Sequence, residues 1–240
     1  MSESMATYNN FDTYISENHN ENLKESFKYL GKLLEEQIQD DQISALDVGC
    51  ATGALIEYLG NKNPLWRFTG VDISSELLNK AQQRMPMHKW IEGSALTLPK
   101  EFDHKFDVSL CVGVLGIFDE QDAKILIEQL IRSTKKGGVI YIFAQFNDFD
   151  VDVQVTHRKY GNQGLGGWEK GWNIYSVRTI NEWFGQKVAN VNFVKFEMPF
   201  DIEPKDDPVR TWTIQDNDGK RMTTNGLKLL VDLQFLEIIV

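Results

Sequence analysis

The chain has 240 residues, 42% of them hydrophobic, which suits one domain with a full core. Its formal charge of −10, with Lys and Arg scattered along the chain, argues against nonspecific binding to nucleic acid or anionic lipid. No basic-then-apolar leader is visible and no apolar run approaches the ~18 residues of a membrane helix, so the expectation is a soluble cytoplasmic protein.

Residues 1–20 are polar and Asn-rich, with Tyr8, Phe11 and Tyr14 at a spacing that suits one helical face. A stronger amphipathic helix is predicted over 21–39, with Leu23, Phe27, Leu30, Leu34 and Ile38 on one side. Strands and helices then alternate. Strands are predicted at 43–48, 66–71, 87–92, 106–112 and 139–143, and helices at 53–61, after Ser74 or Ser75, and at 120–133. Lys135 to Gly138 reads as a turn. This order predicts a parallel sheet with helices on both faces. Past residue 145 the rhythm changes. Residues 146–173 carry two Trp and five Gly with little apolar periodicity, so a long loop or lid is expected. Ser176 should cap a helix holding Val177, Ile180, Trp183 and Phe184. Val191 to Phe200 and Leu233 to Val240 read as strands, separated by a polar insert over 201–226 around Trp212. Cys50 and Cys111 lie in apolar stretches and read as small buried residues rather than a disulfide.

The run Ala45-Leu46-Asp47-Val48-Gly49-Cys50-Ala51-Thr52-Gly53 carries the most chemistry. It is a strand that breaks into a small-residue turn and opens a helix. Gly49 and Gly53 permit turn conformations and leave room for a ligand. A dinucleotide fingerprint needs Gly at the first, third and sixth positions; here Gly49 is followed by Ala51 and Ala54, so that reading fails. No Gly-Lys-Ser/Thr follows, which excludes a P-loop. Asp47 ends the first strand and Asp72 the second, placing two carboxylates at the carboxyl ends of neighbouring strands, where a nucleoside-type ligand would sit.

The pattern Asp-x-Gly-x-Ala-x-Gly resembles the first motif of class I S-adenosylmethionine-dependent methyltransferases, with Ala51 where Gly is common. Later stretches resemble the family's other motifs, in order: Asp72-Ile73, Gly93-Ser94-Ala95, and Phe106 to Gly116. The resemblance implies a Rossmann-like α/β fold, doubly wound, with a mostly parallel seven-stranded sheet and one antiparallel edge strand. It also implies N-terminal cap helices over 1–40 and a methyltransferase domain over 41–240 that includes the lid and the insert. Cofactor contacts are expected from Asp47, Gly49, Ala51, Gly53, Asp72, Ile73, Ser94, Ala95, Cys111 and Val112. Asp72 would accept the ribose hydroxyls, and Ser94 stands where Asp or Asn usually faces the adenine. Tyr8, Phe11 and Tyr14 would close over the cofactor.

Methyl transfer is an in-line displacement on an activated donor, so the protein mainly aligns and desolvates. A hydroxyl acceptor also needs a base; His157 is the first candidate and Asp148 the second. Phe146, Trp168, Trp172 and Trp212 are candidates for an acceptor pocket. Gly171 to Ser176, Arg210 to Thr213 and Asn225 to Leu230 are similar to stretches of bacterial methyltransferases of polysaccharide and specialised biosynthesis. The implied activity is O-methylation of a small-molecule or carbohydrate hydroxyl, with S-adenosylhomocysteine as product. N- or C-methylation and a non-catalytic S-adenosylmethionine-binding regulator are the alternatives. No metal, nucleic acid or membrane partner is expected, and either a monomer or a homodimer is compatible with the sequence.

Overall fold

A computed structural model describes residues 23–161, 164–207 and 209–240. The expected role of Tyr8, Phe11 and Tyr14 lies outside the described residues. The strands β1 (Ser44–Val48), β2 (Arg67–Asp72), β3 (Lys89–Glu92), β4 (Phe106–Val112), β5 (Thr134–Asn147), β11 (Asn190–Lys195) and β14 (Leu233–Ile239) form one sheet in the order β11-β14-β5-β4-β1-β2-β3. Pairing is parallel from β3 through β5. β14 runs antiparallel to both β5 and β11. The expected antiparallel strand therefore lies at this side of the sheet, one place in from its margin, with β11 outermost.

Helices cover both faces. Alternating strand residues point to opposite sides. Leu46, Val48, Val71, Cys111, Ile140 and Ile142 pack on one side against Leu126, Ile127 and Leu130 of α4 (Glu120–Ser133) and Ile180 and Phe184 of α5 (Val177–Phe184). Ala45, Phe68, Val108, Leu110, Tyr141 and Phe235 pack on the other. There they meet Phe27, Leu30 and Leu34 of α1 (Glu25–Gln37), Leu55, Ile56 and Leu59 of α2 (Ala54–Lys62), and Leu78 of α3 (Ser75–Arg84). Each fully buried Leu or Ile side chain contributes about 1.5–3 kcal/mol, so the two layers hold the sheet from both sides. Helix starts follow the sequence signals: Ser74, Asp119 and Ser176 each accept a backbone N–H from their helix's first turn.

Two departures from the sequence reading matter. The Lys135 to Gly138 segment is no separate turn. β5 begins at Thr134, directly after α4, and the segment bulges within it, because the register steps from Phe106 opposite Thr134 to Val108 opposite Val139. Asp107 holds the bulge, accepting Lys135 Nζ at 2.7 Å while its other oxygen accepts Ser44 N and Oγ. The second departure is the expected long loop. It contains two short hairpins, β6 (Thr156–His157) with β9 (Glu169–Lys170) and β7 (Tyr160–Gly161) with β8 (Gly164–Leu165). It returns through β10 (Tyr175–Ser176), which pairs with the end of β5. The insert likewise holds a hairpin, β12 (Trp212–Gln215) with β13 (Arg221–Thr224).

Candidate functional site

Strand order reverses direction at β1, whose neighbours are β2 on one side and β4 on the other. In an open parallel sheet, that reversal leaves a crevice at the carboxyl ends of the strands. The turn 49–53 lies there. Gly49, Ala51 and Gly53 have φ of +77°, +48° and +76°, alternate left-handed positions that L side chains disfavour. A Cβ on Gly49 would stand 2.4 Å from Val114 Cγ2, and one on Gly53 would stand 2.5 Å from the Trp90 ring. Ala51 tolerates its φ because its N–H is held at 2.8 Å by Asp72 Oδ2. The other Asp72 oxygen accepts Ser74 N at 2.9 Å. The turn after β1 is thus fastened to the end of β2, and Gly49 N and Cys50 N both donate to Val71 O.

Asp72 is 9% exposed and Asp47 only 2%. Burial raises the pKa of both carboxylates. For Asp72 the N–H groups of Ser74 and Ala51 oppose the shift. For Asp47 burial, reinforced by Asp72, pushes the value up to about 7, and no described residue hydrogen-bonds its carboxylate. A buried carboxylate without a donor is costly, and a cationic or hydroxylated ligand in the crevice would satisfy it. Ile73, the next residue after Asp72, is 59% exposed and offers an apolar surface to a flat ring. On the β4 side, Gly113 has φ +76° and a Cβ there would meet nothing within 4 Å, so the crevice is open at that point. These features fit the class of cofactor that the sequence implied.

The remaining expected contacts divide. Val112 is half-buried at the end of β4. Ser94 Oγ accepts Leu96 N at 3.1 Å, which leaves its hydroxyl proton available. The Ala95 side chain belongs to the core, so only its backbone can face a ligand. Cys111 is corrected more strongly: its side chain is fully buried in the core, and burial, with Asp47 nearby, pushes its thiol up. It has no route to a ligand through sulfur.

Among the acceptor candidates, His157 lies on the inner face of the lid. Residues Val153, Val155, His157 and Lys159 are partly buried while Gln154, Thr156, Arg158 and Tyr160 are exposed. The His157 side chain is 11% exposed, and both ring nitrogens are buried without a hydrogen-bond partner among the described residues. Its nearest carboxylate, Glu169, is 4.0 Å away. Asp148 does not fit the role of base: its ion pair with Lys195, at 2.8 Å, lowers its pKa and turns it toward β11. Phe146 is also corrected. It is buried in the core, edge-on to Phe193 at 5.1 Å, because β5 continues past the expected strand end. Trp168 is exposed on the outer face of the lid, under the Arg158 guanidinium at 4.7 Å. Trp212 lies in the separate two-stranded sheet of the insert. Trp172 is half-buried beside Asn173, whose N–H reaches Gly116 O at 2.8 Å, and so belongs near the crevice.

Asn173 and Tyr175 fall in the stretch Gly171 to Ser176 without an individual role assigned from sequence, and both hydrogen-bond Phe118 O. The period-two pattern Val153, Val155, His157, Lys159 was the available signal that a strand faced inward there. Among the described residues no cluster of three His, Cys, Asp or Glu side chains could hold a metal ion, and no helix is long and apolar enough to cross a membrane.

Comparison with known proteins gives the same picture. Residues 45–138 match a family described as a methyltransferase domain. Over 101 residues the chain is 29% identical to the ubiquinone/menaquinone biosynthesis C-methyltransferase UbiE of Campylobacter jejuni subsp. jejuni, a match covering 40% of this chain and 42% of that protein. A 55-residue stretch is 40% identical to trans-aconitate 2-methyltransferase of Rhodopseudomonas palustris, covering 23% of this chain and 22% of that protein. The matches span less than half the length of these curated relatives. The fold is similar to that of an S-adenosylmethionine-dependent methyltransferase from Clostridium acetobutylicum, with a TM-score of 0.60 at 15% identity over 97% of this chain and 98% of that one.

Proposed function

Residues 45–138 matching a methyltransferase-domain family, we propose that the chain is an S-adenosylmethionine-dependent methyltransferase that transfers a methyl group to a small-molecule acceptor, preferentially a hydroxyl oxygen. The observation that carries the cofactor assignment is the pair Asp47 and Asp72, buried at the carboxyl ends of adjacent strands around a left-handed turn. Asp72 would hold the ribose hydroxyls, Asp47 the cationic end, and Ile73 with the Ser94 and Ala95 backbone the base. When bound, the cofactor supplies a methyl group already activated on a sulfonium. The chain's own residues then orient the acceptor and exclude water. His157, whose ring nitrogens have no hydrogen-bond partner among the described residues, would take the hydroxyl proton, a contribution of about 10²–10⁴-fold.

C-methylation is the second reading, favoured by the 101-residue likeness to a C-methyltransferase. Both readings are tested with methyl-labelled S-adenosylmethionine and a panel of hydroxyl, amine and activated-carbon acceptors. A methyl ether product that disappears with His157→Ala supports the first reading. Label on carbon, or full turnover by His157→Ala, contradicts it.

A further inference from the structure

A buried amide ties the lid to the loop that follows β4. Asn173 is 2% exposed. Its Nδ2 donates to Phe118 O at 2.6 Å, its Oδ1 accepts Val155 N at 2.8 Å, and its backbone N donates to Gly116 O at 2.8 Å. Tyr175 Oη donates to the same Phe118 carbonyl at 2.8 Å. One side chain therefore joins the loop 113–118 to the lid strand, two residues before His157. The preceding residue, Trp172, is held at φ +67°, unusual for a bulky residue and a mark of a position fixed by its surroundings. Around it, Gly171 N donates to Val155 O, and Val153 and Ile174 exchange both backbone hydrogen bonds.

The same loop touches the cofactor turn at its other end. Val114 Cγ2 occupies the space a Gly49 Cβ would need, and Gly113 N is fixed to Phe143 O at 2.9 Å. Gly49 packs on Val114, Asn173 bonds Gly116 and Val155, and the chain itself links Val114 to Gly116 and Val155 to His157. Contiguity alone does not establish coupling; what makes it testable is that the Asn173 side chain bonds both sides of the junction, Phe118 O on one and Val155 N on the other.

We propose that Asn173 is a positioning residue that couples occupancy of the cofactor crevice to the ordering of the lid strand carrying His157. The proposal rests on the reading that the crevice takes an S-adenosyl nucleoside. It differs from a purely structural anchor in one respect. A structural anchor protects the lid equally with and without ligand, whereas a coupling residue makes that protection ligand-dependent.

The test is amide hydrogen exchange on the full chain, with and without S-adenosylhomocysteine, read at Val153 and Ile174. Binding is followed in parallel by calorimetry. The expected result is ligand-induced slowing at both amides by about five- to a hundredfold, lost in Asn173→Ala while the nucleoside still binds. Tyr175→Phe removes one hydrogen bond and keeps the ring, so it folds more readily and should lose part of the slowing. Binding without slowing in the unsubstituted chain overturns the coupling and leaves the cofactor reading intact. Full slowing in Asn173→Ala, or in the same-sized Asn173→Asp should Asn173→Ala not fold, also overturns it. Absence of binding overturns both.

Discussion

The carboxylate of Asp72 accepts the backbone N–H of Ala51 at 2.8 Å. The acid at the end of the second strand thereby fixes the turn that follows the first. Its second oxygen caps the start of α3 through Ser74 N. A carboxylate has about four lone-pair sites, so acceptor capacity remains for a ligand hydroxyl. Asp72 both builds the turn and presents an acceptor to the crevice, and its removal should act on both.

The turn's tolerance to side chains is sharply limited. Gly49→Ala places a Cβ in the left-handed region, at about 1–2 kcal/mol, and against Val114 Cγ2. Denaturant unfolding should show destabilisation beyond the backbone cost alone. Adding Val114→Ala should recover the part due to overlap and not the part due to φ. Strict additivity of the two substitutions would contradict the contact.

Asp47 predicts a pH dependence. Its pKa rises from 3.8 to about 7 through burial and the nearby Asp72 carboxylate. The folded chain therefore holds this proton more tightly than the unfolded chain. Between about pH 4 and 7 the unfolded state loses it first, so this group's contribution to stability falls as pH rises and levels off above 7. At about 1.4 kcal/mol per unit the whole effect is on the order of 4 kcal/mol. Asp47→Asn should flatten this part of the profile and raise the unfolding midpoint at pH 8, while weakening nucleoside binding. A profile unchanged by Asp47→Asn would contradict the assignment.

Trp172 allows backbone strain to be separated from side-chain contacts. Trp172→Ala and Trp172→Gly remove the same indole, but only Gly adopts φ +67° freely. Thermal unfolding should rank the Gly variant above the Ala variant. The reverse ranking would show that the left-handed conformation carries no cost.

Much of this site was legible in the sequence because it follows local rules. Asp47, Gly49, Gly53 and Asp72 stand at strand ends, where turn chemistry and topology dictate residue types. Ser176 declared a cap by the pattern that follows it. The failures were non-local. Phe146 looked like a pocket residue only because the strand was ended too early; its partner Phe193 lies on a strand far along the chain. Asp148 looked like a free acid until Lys195 came beside it through the sheet. Asn173 stood inside the stretch Gly171 to Ser176 with no role assigned, since that role depends on carbonyls of a loop more than fifty residues earlier.

The lid hairpins explain the loss of helical periodicity after β5. Residues alternate in exposure from Val153 to Tyr160, so the period is two, but the strands are too short to be recognised beside the many glycines. His157→Gln keeps the size and polarity of the side chain without a titrating base. It should leave nucleoside affinity within about twofold while lowering methyl transfer to a hydroxyl by about 10²-fold or more, measured with labelled donor. Equal loss in binding and transfer would instead assign His157 to the cofactor site.

The central claim is that the crevice between β1, β2 and β4 binds an S-adenosyl nucleoside through Asp72. Titration calorimetry with S-adenosylhomocysteine tests it most directly, comparing the unsubstituted chain with Asp72→Ala. Saturable one-to-one binding that weakens at least about tenfold in the variant is expected, from the loss of charge-assisted hydrogen bonds of ~1.5–3 kcal/mol. No binding, or equal affinity in a variant that remains folded, would contradict it.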